Sequence, residues 1–169
     1  MRKKAFILAA IYSLLVIAFK LFVWQGGHTF DPAYRWGHAF SLLGIIPFIF
    51  FGVKWVRDTE NEGFISGKLA GQTGLSIALF SAIILFAYHY IEFKNSLEVY
   101  KAYYHSIEFK TGLAQDPKVK SIGVDKAVEM MIADLSPFKA ATMKLISLLV
   151  VAFPCAFLCA VFLKKNPAN

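Results

Sequence analysis

Charge is what this sequence has least of. Acidic and basic residues make up 17% of it, against roughly 25% in soluble domains, and the long apolar stretches hold no Asp, Glu or Arg in their interiors. The first shortage argues against a soluble globular domain. The second weighs against an ion-coupled transporter, whose path needs ionisable groups at membrane depth. Catalytic motifs are missing too: there is no glycine-rich phosphate loop followed by Lys-Ser/Thr, no G-x-S-x-G elbow and no H-E-x-x-H zinc helix. Cysteine is scarce, and Cys155 and Cys159 stand at i, i+4 on one helical face rather than as C-x-x-C, so packing is the favoured reading.

What is present is apolar. The chain is 57% hydrophobic and 16% aromatic, and its apolar residues gather into four runs near the ~20 residues that cross a bilayer core. Spans are expected at about 5–24, 37–55, 70–92 and 144–163 within a single integral membrane domain, residues 1–169. Lys20 lies one turn before Trp24, where its stem can follow the helix and its ammonium can reach the interface. Trp36 and Trp55 are nineteen steps apart, ~28 Å of helix, which matches two interfacial belts. The third run carries Gly67, Gly71, Gly74, Ala78 and Ser81 on one stripe, the small-residue spacing that lets helices approach closely. This stripe is expected to be the main packing seam; a ligand groove along it would need polar groups that the stripe mostly lacks. In the fourth run Ser136 and Pro137 read as N-cap and first turn, and Pro154 as a bend.

The formal net charge of +7 resides largely at helix ends and termini, which is the pattern of topology signals and not of a nucleic-acid surface. Positives follow Met1, lie between spans two and three (Lys54, Arg57, Lys68) and close the chain (Lys164, Lys165), whereas Gln25 to Arg35 carries Arg35 balanced by Asp31. Both termini are therefore expected in the cytoplasm. The segment of about 94–143 is then extracytoplasmic, and its lysines are nearly balanced by acids. In it Leu97, Tyr100, Tyr104 and Ile107 form an apolar stripe beside the charged row Lys94, Glu98, Lys101, His105 and Glu108, the pattern of an amphipathic helix. Asp116-Pro117 and Gly123 break it. A second amphipathic helix follows, with Asp125 as expected N-cap and Val128, Met131, Ile132 and Leu135 facing inward.

One repeat invites a chemical reading: YHYIEFK at 88–94 returns as YHSIEFK at 104–110. Each copy holds a His-x-x-Glu, so His89, Glu92, His105 and Glu108 are the candidate metal ligands or proton relay. On an unbroken helix sixteen residues give ~24 Å of rise and ~160° of turn, which keeps the two histidines apart. A break at Asn95-Ser96, where Asn95 and Glu98 fit a capping box, would be needed to fold them together. The favoured reading is reused helix, with Tyr88, His89 and Tyr90 in an interfacial belt and Tyr103, Tyr104 and His105 against headgroups or a partner. His28, His38, Asp31 and Arg35, near the start of span two, are read as a hydrated loop. No catalytic residue, cofactor or metal is assigned.

The stretch RDTENEGFISGKLAGQTGLSIALFSAII, Arg57 to Ile84, resembles small four-span proteins common in Bacteroidetes and known as a domain of unknown function. The specific part is Glu62-Gly63-Phe64-Ile65-Ser66 with the glycine stripe behind it. The family has no assigned activity, so the resemblance carries over no catalytic residues; relatives encoded near polyprenol-phosphate sugar transferases imply work in the cell envelope. Physically the motif reads as a corner in which Gly63 takes an unusual backbone angle, Phe64 and Ile65 dip into the interface and Ser66 opens the next helix.

The expectation is thus an all-α protein, a four-helix transmembrane bundle of the bacterial inner (cytoplasmic) membrane. It is expected to act as a non-enzymatic accessory or scaffolding subunit of an envelope complex, in contact with the bilayer and with a membrane protein partner or further copies of itself. The alternative is a small transporter or a membrane-embedded lipid- or glycan-related enzyme that uses the His-x-x-Glu pairs.

Overall fold

The computed structural model describes residues 2–34 and 36–165. The chain is all-helical: α1 (Arg2–Gln25), a short 3-10 turn (Pro32–Tyr34), α2 (Trp36–Leu43), α3 (Ile45–Glu60), α4 (Gly67–Tyr104), α5 (Ile107–Leu113), α6 (Pro117–Ile122), α7 (Val124–Ala133) and α8 (Pro137–Phe162). Four stretches among the described residues are long and apolar enough to cross a membrane: Lys3–Gln25, Ala39–Glu60, Gly67–Tyr104 and Pro137–Phe162.

Two compact units are distinguished, residues 1–86 with 144–169, and residues 87–143. In the first, apolar periodicity becomes a core. Ala5, Ala9, Tyr12 and Val16 of α1 are buried at helical steps, as are Ile45, Ile49, Val53 and Val56 of α3, Ala70, Ile77 and Ala78 of α4, and Leu148, Ala152 and Ala156 of α8. In the most apolar window of α4, 44% of residues are buried, against 22–28% in the other three spans, so α4 is the most enclosed of the four there. The remaining faces show large apolar side chains such as Leu14, Ile83, Val150 and Phe157, suited to lipid.

The second span is built from two helices. Pro47 has no N–H to give the carbonyl of Leu43, and α2 ends at that residue. Gly44 keeps right-handed helical angles (φ −59°, ψ −20°), and its N–H reaches the Phe40 carbonyl at 2.8 Å, so the apolar length continues through the joint. The buried Tyr12 of α1 donates its hydroxyl to the carbonyl of Ser41 in α2, which gives the phenol the partner that burial demands.

In the second unit the structure departs from the sequence pattern at three places. Asn95 caps nothing, because α4 runs on to Tyr104 and the chain turns at His105-Ser106, with the Ser106 hydroxyl accepting from Phe109 N–H at 3.2 Å. Ile107 consequently leaves the apolar stripe and is 85% exposed. Asp125 is not an N-cap; Gly123, at φ +89°, precedes α7, and Asp125 in the first turn binds Lys110 of α5 at 2.7 Å. Val128 is buried as the pattern implies, but Met131 is exposed. Asp116 does cap α6, its carboxylate accepting from Lys118 N–H at 2.9 Å, and Ser136 caps α8 through Lys139 N–H at 3.2 Å.

Candidate functional site

Four helix ends of the first unit meet on one face. Lys4, at the start of α1, pairs with Glu60 at the end of α3 (3.2 Å), donates to the Thr59 hydroxyl and places its ammonium over the Trp55 ring. Beyond the end of α8, Lys165 joins Ile65, just ahead of α4, in an antiparallel bridge: Ile65 N–H to Lys165 carbonyl at 2.9 Å and the reverse at 3.0 Å. The Lys165 ammonium also lies over the Phe64 ring, 5.5 Å from its centre. The start of α1, the residues just past α8 and the corner between α3 and α4 therefore share one side.

That corner is closely determined. Gly63 N–H reaches back to the Arg57 carbonyl (3.0 Å), Phe64 N–H to Asn61 (2.8 Å), and the Asn61 side chain to the Val56 carbonyl (3.1 Å). Ser66 receives Leu69 N–H on its hydroxyl, and Ile65 is buried. Between them Glu62 is held at φ +50° and Gly63 at φ +85°. Glycine adopts such angles freely, whereas glutamate does so at a cost of roughly 1–3 kcal/mol. The exposed Glu62 thus stands in a strained conformation fixed by its surroundings. It borders an open cleft of about 430 Å³ lined also by Glu60, Phe64, Ser66 and Lys165. A cleft with two carboxylates, one ammonium and one aromatic ring can bind a mixed-charge peptide surface.

Of the repeated pairs, His89 and Glu92 meet within α4, Nδ1 to Oε2 at 2.8 Å, with side chains 7% and 11% exposed. Tyr88 and Phe93 are close by, and Phe93 packs on Tyr100 at 4.9 Å between ring centres. His105 lies just beyond the end of α4, whose last residue, Tyr104, is ~22 Å further along the axis than His89, and Glu108 is in the first turn of α5. The copies do not converge: among the described residues no three His, Cys, Asp or Glu side chains form a metal-sized group. His28 pairs with Asp31 at 3.4 Å and stacks on Tyr34; Arg35 and the His38 side chain lie outside what the structure describes. Cys155 and Cys159 are free thiols.

The stripe residues divide into two sets. Gly74, Ala78 and Ser81 are buried, and a Cβ on Gly74 would stand 2.9 Å from that of Ala156. Gly67 and Gly71 are half-buried and face Ala160 at ordinary contact distances. Two further close approaches escape sequence reading: Gly52, where a Cβ would meet Ile77 and Leu8, and Gly37, which lies against the Phe19 ring. Gly52 is an isolated glycine in an apolar run, so no spacing singles it out; Gly37 has Ala33 and Ser41 four residues to either side, a small-residue spacing that was the available signal.

A family model described as a protein of unknown function (DUF4199) matches residues 3–165. No curated protein and no solved structure matches the chain.

Proposed function

Because the chain belongs to the DUF4199 family of proteins of unknown function, we propose from its own geometry that it is a non-enzymatic accessory or scaffolding subunit of a membrane complex. Its corner between α3 and α4 is the docking point for a partner protein. The observation that carries this reading is Glu62, an exposed glutamate kept at φ +50° by a corner tied to Lys165, just past α8, by two backbone bonds. Strain of that kind persists where a fixed presentation has a use. A multi-pass protein with a preorganised charged corner suits a role in holding other proteins at a membrane, and the bacterial inner membrane is the proposed location.

The test is purification of tagged protein from native membranes in mild detergent. A membrane-complex partner should co-purify in stoichiometric amount. It should be lost on Glu62→Lys, which leaves the helices intact, and on Gly63→Val, which cannot hold the turn. Purification without a stoichiometric partner, or a partner indifferent to both variants, would overturn the reading.

A second reading rests on the buried pair His89–Glu92, which has the composition of a proton-handling site in a small transporter or lipid-modifying enzyme. Proton uptake by the protein in vesicles, abolished by Glu92→Gln, would favour it over the first.

A further inference from the structure

α4 and α8 run antiparallel through the first unit. Gly67 faces the carbonyl of Ala160, and seven residues later Gly74 faces Ala156, four residues earlier in α8. Where both helices carry small residues they leave an open groove of about 430 Å³. From Gly67 to Leu75 it is ~12 Å long. Its apolar walls are Leu75, Phe153, Phe157 and Val161, all exposed to the lipid side.

The polar groups missing from the small-residue stripe come from its neighbours. Lys68 and Gln72 follow Gly67 and Gly71 by one residue each, and Lys164 arrives from beyond the end of α8. Both lysines border the groove at its helix-end mouth and are exposed, and among the described residues neither forms an ion pair. In a bilayer this is the level of the headgroups.

We propose that this groove is a binding site for one anionic phospholipid, with an acyl chain along Gly67, Gly71 and Ala160 and the phosphate between Lys68 and Lys164. An unfilled furrow on a helix pair forfeits dispersion contacts, and an acyl chain restores them. Two exposed ammonium groups at one mouth, with no carboxylate paired to either among the described residues, favour an anion there; the Gln72 amide can donate to an ester oxygen of the same lipid. Charge also discriminates against the other occupant suggested by Gly67-x-x-x-Gly71, a second copy of the chain. A symmetric contact of the two stripes would bring a second Lys68 and Lys164 towards the first.

The test is native mass spectrometry of the full chain, titrated with palmitoyl-oleoyl phosphatidylglycerol and, in parallel, with the phosphatidylcholine of the same chains. One phosphatidylglycerol should bind with a preference of roughly 25-fold, about five-fold from each lysine. Lys68→Gln or Lys164→Gln should each lower the preference about five-fold, the double variant should remove it, and Lys54→Gln should leave it intact. Gly71→Leu should block both lipids; since it could also disturb packing, the exposed lysine variants decide. Equal affinity for the two lipids, or a preference that survives in the double variant, would overturn the proposal. So would a dimer that persists in saturating phosphatidylglycerol and dissociates on Gly71→Leu, which would give the groove to a second copy.

Discussion

Gly74→Ala and Gly71→Ala are the same substitution, three residues apart on one helix, and should move stability in opposite directions. At Gly74 the new methyl would stand 2.9 Å from the Cβ and 3.1 Å from the Cα of Ala156, and 3.1 Å from Cγ2 of Ile49. The Ala156 atoms cannot rotate away, so α8 must shift, and overpacking of this kind costs about 1–3 kcal/mol. At Gly71 the nearest atom is the Cβ of Ala160 at 3.6 Å, an ordinary contact. Alanine's advantage over glycine in a helix, up to about 1 kcal/mol, applies at both positions and cancels in their difference. Gly71→Ala should thus be neutral or stabilising, Gly74→Ala destabilising, and the two should differ by about 1–3 kcal/mol. Reversible unfolding in a dodecyl sulfate titration, followed by circular dichroism, measures both. Equal shifts would refute the assigned contact between α4 and α8.

The Ser81 and Ser13 hydroxyls are buried and have no hydrogen-bond partner among the described residues. Ser81→Ala should therefore raise stability by about 1 kcal/mol in the same titration, and a loss would mean that the hydroxyl is bonded. His89→Ala removes a buried bond to Glu92 and should cost about 1.5–3 kcal/mol; an unchanged unfolding midpoint would show that the pair is not formed. The Lys110 ammonium bonded to Asp125 holds that carboxyl below its usual pKa. The folded segment then takes up this proton at lower pH than the unfolded chain. The pair's stabilisation is present above the usual carboxylate range and lost as pH falls through the lowered value. Lys110→Gln should move the Asp125 titration, followed by NMR, up towards about 3.9; no movement would disprove the link.

The helical class and four spans were legible because the runs are long, nearly uncharged and separated by polar segments, and a bilayer admits few other folds for such a pattern. What escaped was set by single residues acting through space. Pro47 interrupts the second span by leaving the Leu43 carbonyl without a donor, although the apolar run around it gives no sign of a joint. Asn95 has the residues of a capping box behind it, but tertiary burial of Phe93 and Ser96 keeps α4 helical through that point, and the Ser106 cap ends the segment instead. Gly63 announced its turn, whereas the partner of Ile65 is Lys165, a hundred residues away, a pairing that no local pattern contains. At the groove the small residues were visible in the sequence, but its charged mouth was not, since Lys164 joins Lys68 only when α8 folds back along α4.

Site-specific crosslinking in native membranes shows whether the corner at Glu62 presents a surface to a partner protein. A photo-reactive amino acid would replace Glu62 in one experiment and the exposed Phe157 in another. Crosslinking at Glu62 to one membrane-complex protein, in high yield and absent at Phe157, is the predicted result. Crosslinks to lipid alone at Glu62, or to the same unspecific set of proteins from both positions, would contradict it.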